Sequence, residues 1–273
     1  MLKKLLKHEF RATARTMLPM YLILLVASLG ANLTTRGLLE TEYPILDTIG
    51  VILVMLFVMA IIAVCVMTLV TMIERFCKNL LGDEGYLSMT LPVSVHQQVW
   101  TKLIVSVVWF AATAAAVVIA FCIMAFDLGV VKQALDVLVG LLRELWQNMS
   151  AYYALNGTAI VVELVVLVVV GLAANCLRFY AAMALGYSFA NYKLPLAVVF
   201  FFVIGGVEKF LLSLAMNLLH IVNVADLFDQ ILIQHPMTMT HTVFVGCIVS
   251  QLILSGIFYF LTTYCLKNRL NLE

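Results

Sequence analysis

The feature that most constrains the fold is a series of six long apolar runs, separated by shorter polar intervals. A helix needs about 20 apolar residues to cross the hydrocarbon core of a bilayer. The runs lie at about Met17–Leu33, Thr48–Met72, Leu103–Phe126, Ala151–Leu177, Leu194–Leu219 and Thr242–Leu266. They are continuous and lack the alternation of apolar and polar residues found in membrane barrel strands. We therefore predict an all-α integral membrane protein with six transmembrane helices in a single domain over residues 1–273.

The composition agrees with lipid as the main solvent. Hydrophobic residues make up 64% of the chain and charged residues only 11%, whereas a soluble domain carries about 25% charged residues. Such a chain cannot cover a water-facing surface, so we expect the lipid bilayer to surround much of it. The net charge of +1, without a concentrated basic patch, gives no reason to expect nucleic acid as a partner.

The distribution of Lys and Arg predicts the orientation, because cytoplasmic segments are enriched in both residues. One side of the predicted membrane carries Lys3, Lys4, Lys7, Arg11, Arg15, Arg75, Lys78, Lys102, Arg178, Lys193, Lys267 and Arg269. The other side carries only Arg36, Lys132 and Arg143. Both termini are therefore predicted to be cytoplasmic. The pattern of residues 2–16 predicts an N-terminal amphipathic helix at the membrane surface. A simple positively charged anchor is the alternative.

The polar interval between the second and third spans has an organised pattern. Gly82 and Gly85 permit a turn around Asp83 and Glu84. After Pro92, the stretch from Ser94 to Gln97 matches a capping box that opens a new helix into the third span. A plain helix-hairpin loop is the alternative, but some 20 organised residues exceed the usual loop of about 4–6 residues.

This interval resembles the corresponding part of the membrane subunit of ABC-2 type ATP-binding cassette transporters. The resemblance rests on Glu-Gly-Tyr at 84–86, Leu-Pro-Val-Ser at 91–94 and Lys102 at the start of the third span. It implies a cytoplasmic coupling helix that inserts into a cleft of an ATPase subunit. The implied coupling residues are Glu84, Gly85, Tyr86, Leu87, Leu91, Pro92 and Ser94. Lys102 would then lie at the lipid headgroups.

The resemblance also implies a function and partners. The chain would be a permease subunit in a bacterial cell membrane, paired with a second copy or a related permease. It contains no Gly-x-x-x-x-Gly-Lys-Ser/Thr phosphate loop, so ATP and Mg would be bound by a separate nucleotide-binding subunit and this chain would bind no cofactor. Export of an amphipathic or hydrophobic substrate, such as a peptide, lipid or drug, is the expected activity.

Three ionisable residues fall inside predicted spans: Glu163, Glu208 and Lys209. Such residues are functional candidates because charge is costly in a bilayer. Similar depth permits an ion pair between Glu163 and Lys209, and we predict this pair; a polar lining for the export path is the alternative. Protonation of Glu163 or Glu208 would instead suit a proton-driven secondary transporter, the main alternative function.

The motifs of intramembrane enzymes are missing. The chain has no Gly-x-Ser-x-Gly, and His8-Glu9 is followed by Ala12 where a zinc protease motif needs His. The His and Asp residues between His220 and His241 match no compact metal-ligand spacing. We therefore predict no catalytic residues and no metal site.

Overall fold

The protein is all-helical over the residues that the structure, a computed structural model, describes. These are residues 2–34, 44–82, 85, 93–125, 136–137, 139–140, 143, 151–189, 192–221 and 236–268. The six long helices are α1 (Leu2–Leu33), α2 (Pro44–Phe76), α3 (Val95–Met124), α4 (Ala151–Gly186), α5 (Lys193–Ile221) and α6 (Pro236–Asn268). Each contains a stretch long and apolar enough to cross a membrane. The prediction of an all-α protein with six such helices is confirmed.

The helices extend beyond the apolar runs, because backbone hydrogen bonds along a helix continue through polar residues as readily as through apolar ones. Residues 2–16 belong to α1 and continue directly into the first apolar run. A π-helical turn, Cys77–Leu81, prolongs α2. At its far end α4 continues past Leu177, where the predicted fourth span ends, to Gly186, so Arg178 lies inside the helix.

The chain forms two compact units. Unit 1 comprises Met1–Glu74 and Val108–Met149, and unit 2 comprises Arg75–Val107 and Ser150–Glu273. In unit 1, α1, α2 and the second part of α3 pack around an apolar cluster. Its buried members are Leu24, Ala31, Phe57, Val64 and Ala120.

Hydrogen bonds between side chains also join the helices of unit 1. The Trp109 indole donates to Thr13 at 2.7 Å. The hydroxyls of Tyr21 and Thr113 lie 2.7 Å apart, and Thr113 lies 3.0 Å from the hydroxyl of Thr68. Polar side chains of this kind pair with one another across membrane helices because lipid offers them no partner.

In unit 2, α4 packs against both α5 and α6. Phe179 of α4 stacks on Phe201 of α5 with ring centroids 4.4 Å apart. The backbones of α4 and α5 meet closely at Gly186, where an added Cβ atom would lie 2.6 Å from Ala197. A small residue at such a crossing lets two helices pack closely.

Large apolar side chains cover the outer surfaces of the helices. Phe202 is 71% exposed, Phe210 67% and Phe260 70%. Extended exposed surfaces of this kind mark contact with a membrane or another protein. Six apolar helices with such surfaces indicate a multi-pass membrane protein.

Candidate functional site

The connection between α2 and α3 begins with a tight turn. The Gly82 amide donates to the Cys77 carbonyl at 2.7 Å, which ends the π-helical turn. The Gly85 amide then donates to the Gly82 carbonyl at 2.8 Å, and Gly85 is buried. The predicted turn between the two glycines is confirmed.

At its other end the connection is capped by Ser94. The Gln97 amide donates to the Ser94 hydroxyl at 3.4 Å, and α3 begins at Val95. A side-chain oxygen at this position satisfies a backbone amide that the helix leaves without an internal partner. The predicted start of the third helix at Ser94 is therefore confirmed.

Most of the proposed coupling residues lie outside the described residues. These are Glu84, Tyr86, Leu87, Leu91 and Pro92. Gly85 and Ser94 are described, and they lie in the turn and in the cap. The contact role of the whole group stays a prediction.

The helix ends that support this connection are tightly packed. We call them the base of the connection: residues 76–81 at the end of α2 and residues 95–106 at the start of α3. The base buries Phe76, Cys77, Leu80, Leu81, Gln98, Val99, Thr101, Lys102, Leu103, Val105 and Ser106. In the most apolar stretches of α5 and α6, by contrast, only 6% of the residues are buried. The connection thus stands on a well-packed part of unit 2.

Tyr180 of α4 joins both sides of this base. Its ring stacks on Phe76 with centroids 4.0 Å apart and planes 7° from parallel. Its hydroxyl lies 2.7 Å from that of Ser106, and both side chains are 2% exposed. One side chain therefore touches the end of α2 and the start of α3.

Just beyond α4, burial raises the pKa of Tyr187, and the charge of the Cys77 thiolate would raise it further.

Lys102 also belongs to the base. It is only 7% exposed and has interactions within the protein. The expectation that Lys102 reaches the lipid headgroups was wrong, because its position on α3 faces the packed interior and not the outer surface.

A charged pair joins α4 to α5. Arg178 donates to Glu208 at 3.0 Å and to the amide oxygen of Asn175 at 2.8 Å. Its guanidinium also lies 5.2 Å from the ring centre of Phe201. The Arg178 Nε is buried and has no hydrogen-bond partner among the described residues.

A small polar cavity of about 40 Å³ adjoins this pair. It lies between α4, α5 and α6, and its lining includes Arg178, Glu208 and Gln251. A polar cavity of this size has room for about two water molecules. The site can therefore hold hydrated charge within helices that are otherwise apolar.

A hydrogen-bonded acid–histidine pair joins α4 to α6. The Nδ1 atom of His241 lies 2.9 Å from both carboxylate oxygens of Glu163. Because a carboxylate can only accept, His241 Nδ1 carries the hydrogen of this bond.

The predicted ion pair between Glu163 and Lys209 was wrong. Glu163 faces His241, while Lys209 is exposed. Glu208 pairs with Arg178, which lies 15 residues after Glu163 on α4. At a rise of 1.5 Å per residue this is about 22 Å along the helix, so Lys209, the neighbour of Glu208, is far from the level of Glu163.

Both true partners escaped the sequence analysis. We placed Arg178 and His241 in connections, because each lies at the edge of an apolar run. If the helix ends had been predicted from the full length of each helix and not from its apolar run alone, both residues would have been placed inside helices. Both would then have counted as polar residues inside helices, but which acid each one meets depends on packing.

Among the described ranges no group of three or more His, Cys, Asp or Glu residues could hold a metal ion. The Arg178–Glu208 and Glu163–His241 pairs supply an ion pair and hydrogen bonds between helices. Comparisons with protein-family models, with curated proteins and with solved structures found no match.

Proposed function

We propose that this chain is the permease subunit of an ABC-2 type transporter in a bacterial cell membrane. It would act with a second copy or a related permease and with separate ATPase subunits that bind ATP and Mg. The exported substrate would be amphipathic or hydrophobic, such as a peptide, lipid or drug. The chain itself would perform no catalysis.

The observation that supports this proposal best is the packed base under the connection between α2 and α3. A coupling element must pass its movement on to the transmembrane helices, and a loosely packed base would deform instead of moving them. Closely packed protein interiors have low compressibility and transmit strain. Movement of residues 82–94 would press on Phe76 and Ser106, and through Tyr180 on α4. The substrate path would then respond because α4 packs against α5 and α6.

The orientation required by this function agrees with the charge distribution. The first half of α1 exposes Lys3, Lys4, Lys7, Arg11 and Arg15. We propose that this half is the amphipathic segment at the cytoplasmic surface, with both termini on that side. The residue 82–94 connection would then face the cytoplasm, where an ATPase subunit can reach it.

The Arg178–Glu208 and Glu163–His241 pairs would hold α4 to its neighbours during transport. Removing one member leaves the other in a largely apolar setting, which is costly. Rearrangement of these pairs would be one way for α5 and α6 to move as ATP binds. The polar cavity beside Arg178 would form part of the substrate path.

The test is reconstitution with a candidate ABC-type ATPase subunit from the same genome. Tagged protein is purified from cells that express both, and ATPase activity and substrate export are measured in proteoliposomes. Tyr86→Ala and Leu87→Ala should release or uncouple the ATPase. Tyr264→Ala, a change at an exposed tyrosine on α6, is the matched control and should leave coupling intact. Unchanged coupling in the first two variants would contradict the proposal.

A proton-driven carrier is the second candidate, and the Glu163–His241 pair favours it. Acid–histidine pairs within membrane helices occur in proton relays. This model predicts that Glu163→Gln or Glu208→Gln abolishes transport driven by a pH gradient. In the permease model, export by the same variants still requires ATP. A carrier that works without ATP and tolerates Tyr86→Ala would favour the second candidate.

A further inference from the structure

Four side chains of unit 2 form a cluster where α3 begins and α6 ends. His96 and Trp100 lie in the first two turns of α3, and Tyr259 and Lys267 lie on α6. His96 Nδ1 is 2.7 Å from the Tyr259 hydroxyl, and Lys267 Nζ is 3.0 Å from His96 Nε2. The Trp100 and Tyr259 rings lie 5.8 Å apart. His96, Trp100 and Lys267 are all exposed.

The hydrogen bonds of the cluster have a fixed direction. A lysine ammonium has three donors and no acceptor, so His96 Nε2 must accept from Lys267. The imidazole hydrogen is then on Nδ1, and His96 donates through it to the Tyr259 oxygen. Tyr259 consequently keeps its hydroxyl hydrogen for a further acceptor.

The cluster therefore has hydrogen-bond donors that its internal bonds do not use, some on a charged group and one on a neutral group. Lys267 retains two N–H groups beyond its bond to His96, and Tyr259 retains one O–H. Lys267 also gives the cluster a net positive charge. We propose that this cluster binds the phosphate group of an anionic phospholipid.

The position of the cluster fits a lipid headgroup. It lies at the ends of two helices that are long and apolar enough to cross a membrane. Tyrosine and tryptophan concentrate at the membrane–water interface, and Lys near the surface attracts anionic lipids. A choline group stacked on the aromatic rings would be repelled by the positive charge of Lys267, so the site disfavours lipids with a choline head. This site needs membrane-embedded helices but does not depend on the chain being a permease.

The test measures binding of short-chain lipids to the full-length protein in detergent by native mass spectrometry. The probes are dioctanoyl phosphatidylglycerol, dioctanoyl phosphatidylcholine and glycerol 3-phosphate. Lys267→Gln should weaken phosphatidylglycerol binding about tenfold, as expected for loss of one hydrogen bond to a charged group. Lys267→Arg should retain most of the binding. Lys209→Gln, at an exposed lysine outside the cluster, should change it less than twofold.

His96→Phe provides a second variant. It keeps an aromatic ring but removes the bonds to Lys267 and Tyr259, so we expect about threefold weaker phosphatidylglycerol binding. Equal loss with Lys209→Gln and Lys267→Gln would overturn the site, since general charge would then explain binding. Equal affinity for phosphatidylcholine would overturn the preference for anionic lipid. Glycerol 3-phosphate binding as tight as the lipid would assign the site to free phosphate esters and overturn the lipid.

Discussion

The contact between Tyr180 and Ser106 allows a quantitative test of the base of the connection. Tyr180→Phe removes the hydroxyl while the ring keeps its 4.0 Å stacking on Phe76. The change leaves the buried Ser106 hydroxyl without the partner now 2.7 Å away. An unsatisfied buried hydroxyl costs about 1–3 kcal/mol. Ser106 can turn toward the carbonyl one helical turn earlier, so we expect about 1 kcal/mol of destabilisation.

The reverse change gives a larger effect. Ser106→Ala removes the hydroxyl that lies 2.7 Å from the buried Tyr180 hydroxyl, whose oxygen is held in place by the stacked ring. We expect a loss of about 2 kcal/mol. The double variant removes both polar groups together, so it should lose less than the sum of the single changes. The difference, about 1–2 kcal/mol, is the interaction energy of the pair.

The assay is the free energy of unfolding of the purified protein in mixed micelles, followed by helical circular dichroism as denaturing detergent increases. The four proteins of the cycle are measured side by side. If the double variant loses the full sum of the two single changes, the hydroxyls do not interact. The Tyr180–Ser106 contact would then not contribute to holding α4 against α3 at the base.

Three further predictions follow from unit 2. Gly186→Ala should destabilise the protein by about 1–3 kcal/mol, because the added Cβ would lie 2.6 Å from the backbone of the facing helix. Gly206→Ala is the control: its added Cβ would have nothing within 4 Å, so the change should be neutral or stabilising in the same unfolding assay. Glu163→Ala should cost about 1 kcal/mol by depriving His241 Nδ1 of its acceptor; an unchanged free energy of unfolding would contradict that pairing. Arg178→Lys keeps the charge but loses the planar set of donors, so it should lower the unfolding free energy by about 1 kcal/mol; full stability with Lys would mean that charge alone matters.

The sequence by itself determined the class of the protein and the ends of its second connection. Six helices follow from the lengths of the apolar runs, since lipid accepts few other spanning structures. The turn at Gly82 and the helix start at Ser94 depend on residues close in sequence, so local patterns were enough to predict them. The coupling function rests on a resemblance, and its contact residues stay a prediction.

Only the tertiary structure decided which side chains meet. The ends of the apolar runs predicted similar depths for Glu163 and Lys209. In the structure Glu208 is level with Arg178, which follows Glu163 by 15 residues on α4. How far two helices are shifted along each other, and how each is rotated about its axis, is set by packing. The same reason hid the role of Tyr180, which reads as one more apolar position in its run, and brought Lys267 beside His96, far away in the sequence.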